Sequence, residues 1–166
     1  MRITNLIKRL IALVALVVTS GAVYAENSSV VESAVREIVA KYDKESGVKC
    51  MTVTKGQGLE IVKLMLREQM GKAFLKGVTS VTIIEYGSAS AEVCEALRKE
   101  VDVFTSLLKE FNVSEAKATP NGGYSRGFAN VIDADAGRVS DFVIAVDSDE
   151  MKSIIYMTGD MVVKEQ

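Results

Sequence analysis

Asp141-Phe142-Val143-Ile144-Ala145-Val146, a break at Asp147-Ser148-Asp149-Glu150, then Ser153-Ile154-Ile155-Tyr156-Met157-Thr158: the fold turns on this stretch. Each arm is short, rich in β-branched or aromatic residues, and bounded by turn formers, so the two arms predict an antiparallel hairpin. From Phe142 to Val146 the run is continuously apolar. Such a run suits a strand covered on both sides, or covered on one side by the protein and on the other by a partner. The helices predicted upstream are expected to cover one face of the resulting sheet.

Moving outward, the period from Ser114 onward is two. Glu115 to Thr119 predicts a short strand, Pro120-Asn121-Gly122-Gly123 a turn, Tyr124 to Ile132 a strand, and Asp133 to Arg138 the next turn. Before Ser114 helical spacing alternates with strands. Leu97, Val101, Phe104, Leu108 and Phe111 step by four, three, four and three, with Cys94 one turn earlier, and predict a helix with one buried stripe. Val78 to Tyr86 reads as a strand. A helix from about Leu59 carries Ile61, Val62, Met65, Leu66 and Met70, and Gly71 is expected to bend or break it. Val48 to Thr54 is a further strand. Val31, Val35, Ile38 and Tyr42 mark the first helix, which Ser29 and Glu32 can open with a capping box. The chain therefore predicts three helices interleaved with two strands, then a C-terminal antiparallel β-meander packed against the helices. That is one α+β domain over residues 26–166.

Residues 1–25 read as a secretory leader. Arg2, Lys8 and Arg9 are basic, Leu10 to Val18 is apolar, and Val23-Tyr24-Ala25 offers a cleavage site before Glu26. The apolar run is too short to span roughly 30 Å of hydrocarbon. The expected location is the periplasm, with the leader removed after Ala25 and no stable membrane anchor left. Removal of the leader's three bases from the 20 Lys and Arg leaves 17 against 22 Asp and Glu, a net charge of −5. That balance argues against nucleic acid, which needs clustered bases, and against an anionic membrane surface. The chain has no His, which excludes Ser-His-Asp catalysis, Cys-His catalysis and His-ligated zinc.

Three stretches carry a family resemblance. They are Lys41-Tyr42-Asp43-Lys44 before Gly47-Val48, the strand Ser80-Val81-Thr82-Ile83-Ile84-Glu85, and Gly137-Arg138-Val139-Ser140-Asp141 followed by the hairpin and Thr158-Gly159-Asp160. In this order they resemble the domain of unknown function family 4252, small exported proteins of Gram-negative bacteria, over most of residues 30–163. The resemblance implies export and carries no activity to named residues. Many members are lipoproteins with a Cys at the cleavage site. This chain has none there, so no lipid anchor follows.

Several groups invite a chemical reading. Lys55-Gly56-Gln57-Gly58 joins a strand to a helix but lacks the third glycine of a dinucleotide fingerprint and the Lys-Ser/Thr of a P-loop; a plain turn is the better reading. Asp133-x-Asp135-x-Gly137 resembles the start of a calcium loop without its later ligands. Asp147, Asp149 and Glu150 are expected at the far end of the meander, and both acidic turns read as solvated hairpin turns. Glu85, Glu92, Glu95, Glu100 and Asp102 could supply a carboxylate pair, though a solvated helix face is the default. No cofactor or metal is expected. Cys50 and Cys94 are the only cysteines: an exported chain makes a disulfide possible, and two separate buried thiols are the alternative.

Tyr124, Arg126, Phe128 and Asn130 alternate along their strand and mix aromatic with polar groups. Tyr124, Phe128 and Tyr156 are therefore a possible interaction surface, with ordinary core as the competing reading. The leading functional reading is a non-catalytic binding module whose partner is an envelope protein or peptide. The alternatives are a small hydrolase using Asp, Glu, Lys or Tyr, and a small-ligand carrier.

Overall fold

The computed structural model describes residues 30–111, 124–149 and 151–163. The leader, the Ser29 cap, the predicted strand over Glu115 to Thr119, the turn at Pro120 to Gly123, and Glu150 lie outside the described residues.

Helix α1 (Val30–Tyr42) buries Val31, Val35, Ile38 and Tyr42, the stripe that helical spacing predicts. Strand β1 (Lys49–Val53) follows, then helices α2 (Gln57–Met70) and α3 (Lys72–Gly77). Gly71 separates these two helices at φ 78°, a left-handed conformation that breaks the helix where the sequence places the break. Strand β2 (Val78–Glu85) leads to helix α4 (Ala91–Thr105). Ser90 caps α4 by accepting a hydrogen bond from the Val93 N–H at 3.3 Å.

Helix α4 ends earlier than its apolar stripe suggests. Thr105 and Ser106 donate their hydroxyls back to the carbonyls of Val101 and Val103, and Leu107 and Leu108 close tighter i→i−3 turns. Such back-bonding offers the backbone an alternative to the helix. Leu108 still packs against the core, but from a turn, and Phe111 ends strand β3 (Lys109–Phe111). Strands β4 (Tyr124–Asp133), β5 (Arg138–Asp147) and β6 (Lys152–Val162) complete the chain.

The six strands form one sheet in the order β1-β2-β6-β5-β4-β3, with every neighbouring pair antiparallel. The last strand thus pairs with β2 and joins the two early strands to the meander. At that join Gly77 and Gly159 let two backbones touch: a Cβ on Gly77 would stand 1.7 Å from the Asp160 carbonyl oxygen.

Helices cover both faces of the sheet, not one as expected from the sequence. On one side, Val143 and Ala145 of β5 and Ile154 and Tyr156 of β6 pack with α1 and α4 residues such as Ile38, Leu97 and Phe104. On the other, Phe142, Ile144, Val146, Ile155 and Met157 pack with Leu59, Val62 and Leu66 of α2 and Phe74 and Leu75 of α3. The continuous apolar run in β5 has this cause: alternate side chains enter two cores.

Candidate interaction surface

The proposed aromatic surface is largely core. Phe128 is 4% exposed and Tyr156 2%, because α1 and α4 lie across their face of the sheet. Tyr156 hands its hydroxyl to Asp141 Oδ1 at 2.6 Å. Asp141 is wholly buried, and its other oxygen accepts from Ser140 Oγ at 2.6 Å and Asn130 Nδ2 at 3.3 Å. The ladder register slips between Val139 and Asp141, and this irregular stretch of β5 carries the polar cluster. Tyr124 alone of the three aromatics stays half-buried, at the seam between α4 and β4. There the Arg126 guanidinium lies 5.9 Å from the Tyr124 ring centroid and 4.8 Å from that of Phe128.

That seam is built of ion pairs. Asp147, expected in a solvated turn, is instead buried at the end of β5. Arg98 of α4 forks onto it, with Nη2 3.0 Å from Oδ1 and Nε bonded to Oδ2, and Lys152 Nζ of β6 reaches Oδ1 at 2.5 Å. Burial alone would raise the Asp147 pKa. The hydrogen bonds from Arg98 and then Lys152 outweigh it and hold the carboxyl below its ordinary value. Burial, with Asp147 adding to it, pushes the hydroxyls of Tyr86 and Tyr124 upward, so both stay protonated. Arg126 pairs with Glu110 of β3 at 2.9 Å and Asp102 of α4 at 3.7 Å. Nothing in the sequence marks Arg98 as the partner of Asp147, since 49 residues separate them.

Two further acids of the helix face, Glu100 and Glu95, are also engaged. Glu100 accepts from the Tyr42 hydroxyl at 2.7 Å and from Lys41, tying α4 to α1. Glu95 pairs with Lys99 at 2.8 Å. Asp133 and Asp135 are exposed; Asp133 Oδ1 accepts from the Ala136 N–H at 3.0 Å, a hydrogen bond internal to the turn. Among the described residues, no group of three or more His, Cys, Asp or Glu is placed to hold a metal ion.

The two cysteines are free thiols, which corrects the possible disulfide. Cys94 is buried on the inner face of α4 and donates to the Tyr86 carbonyl at 3.4 Å. Cys50 is half-buried on β1, and its thiol is pushed up to about 12, chiefly by burial and then by Asp43. A thiol so far from ionising is a poor nucleophile.

A surface that sequence reading passed over lies on the opposite layer. Helix α2 turns Leu59, Val62 and Leu66 into the core. On its outer side, Ile61 is 40% exposed and Leu64 67%. Gly56, Gln57 and Glu60 join these two around an open depression at the β1–α2 turn. The periodicity did contain the signal: Ile61 does not share the face of Leu59, Val62 and Leu66. No helix among the described residues is long and apolar enough to cross a membrane. Neither a protein-family model, nor a curated protein, nor a solved structure matches this chain.

Proposed function

We propose that the protein is an exported, non-catalytic binding module of the cell envelope that engages its partner through the outer face of α2. One observation carries the reading: α2 is apolar on both sides. Its inner stripe fills the core, while Ile61 and Leu64, three residues apart and on neighbouring turns, face outward. Residues three apart on a helix lie side by side, so the two form one small apolar contact area. A contiguous exposed apolar patch rimmed by polar residues can mark an interaction site; Glu60 and Lys63, paired at 3.3 Å, flank this one. The leader over residues 1–25 supports export to the periplasm, with release of the chain after Ala25.

A photoreactive benzoyl-phenylalanine in place of Leu64, irradiated in living cells, tests the binding face. The expected result is a covalent adduct with an envelope component that a probe at exposed Glu37 does not form. Absence of an adduct overturns the binding reading. Intact-mass measurement of the native protein tests export; a mass that includes Met1 to Ala25 overturns that part.

A further inference from the structure

We infer that the α2–α3 layer docks on an anionic membrane surface. The inference rests on the binding reading above and names the partner. The net charge of the exported chain hides a strong asymmetry. Between residues 55 and 77, Lys55, Lys63, Arg67, Lys72 and Lys76 face only Glu60 and Glu68, a net charge of +3. The rest of the chain beyond Ala25 carries 12 bases and 20 acids, a net charge of −8. The net positive charge therefore sits on one layer of the fold, where acids are few.

Within that layer, Lys55, Arg67, Lys72 and Lys76 are all exposed, and none forms an ion pair among the described residues. This is unlike the α4 side, where Arg98, Lys99 and Arg126 are each committed to a carboxylate. Exposed cations and exposed Ile61 and Leu64 thus occur together on one layer. A basic helical surface with outward apolar side chains inserts those side chains among headgroups while its Lys and Arg meet the lipid phosphates. The α2 depression is open, which suits a plane of headgroups better than a small ligand, whose sites are enclosed clefts. The net charge of −8 on the rest of the chain favours this orientation, because anionic lipid repels it.

Sedimentation of the exported chain with vesicles tests this. The chain is expected to pellet with phosphatidylglycerol vesicles and not with phosphatidylcholine vesicles. Raising the salt from about 0.1 M to about 1 M shortens the screening length from roughly 10 Å to roughly 3 Å and should release it. Leu64→Ser, and separately Lys72→Glu with Lys76→Glu, should each weaken binding about tenfold or more without changing the thermal melt. Val103→Ser, an exposed apolar residue on α4, should leave binding unchanged. Failure to pellet with phosphatidylglycerol overturns the inference, as does equal binding by the Lys72/Lys76 variant. If the probe at Leu64 then yields a polypeptide adduct, the binding reading stands and the partner is an acidic protein. If it yields none, both fail.

Discussion

The Tyr156 hydroxyl and the Asp141 carboxylate meet at 2.6 Å across adjacent strands, and both residues are sealed from solvent. The contact turns an aromatic that sequence alternation offered for binding into part of a buried polar cluster with Ser140 and Asn130. Tyr156→Phe keeps the ring and removes one donor from a buried acceptor. A cost of about 1–3 kcal/mol is expected, read as a lower urea midpoint at unchanged slope. Wild-type stability in this variant would show that the hydroxyl is dispensable.

Asp147 gives a pH signature. Its folded pKa lies below the unfolded value of 3.8, so the stability it adds is full above that value and fades as pH falls through the folded one. Asp147→Asn should cost about 1–3 kcal/mol at neutral pH. The cost sits toward the lower end because the Arg98 side chain is 41% exposed and solvent screens part of the pair. The gap between variant and wild type should close below about pH 4. Denaturant melts across pH check it; a gap that persists at acid pH would remove the ion pair as the cause.

Helix α4 discriminates inside from outside. Leu97 is fully buried and Val103 mostly exposed. Leu97→Asp should abolish cooperative thermal unfolding, since an unpaired buried charge costs several kcal/mol. Val103→Asp should stay within about 0.5 kcal/mol of wild type. Equal melting temperatures for the two variants would contradict the helix orientation.

Gly77→Ala should lower stability by about 1–3 kcal/mol, because its Cβ must displace the Asp160 backbone where β2 begins beside the end of β6. Gly87→Ala is the control, its Cβ meeting only Lys152 N at 3.6 Å. Thermal melts of the two variants should separate clearly.

Both thiols should be present and slow. With the Cys50 thiol near 12 and Cys94 buried, thiol reagents at pH 8 should label the native protein slowly and titrate two thiols only after denaturation. Fewer than two thiols in the denatured, unreduced protein would reinstate the disulfide.

By itself, the sequence determined the elements whose signals are local. The stripe Val31, Val35, Ile38 and Tyr42, the break at Gly71, the paired arms of β5 and β6 and the turn after Asp133 follow from side-chain spacing and turn chemistry acting within a few residues. The tertiary structure decided what depends on distant partners. A continuous apolar strand fits either one covering layer or two; the Gly71 break, with α2 and α3 packed under the second face, settled that both faces are closed. The roles of Phe128 and Tyr156 changed with that closure, since alternation along a strand states which residues share a side and not what lies over it. Arg98 and Asp147 could not be matched in advance, because ion pairing between α4 and the end of β5 is set by how helix and sheet pack. The α2–α3 face lies between these cases: its charges and apolar residues stand in the sequence, and the fold turned them outward together.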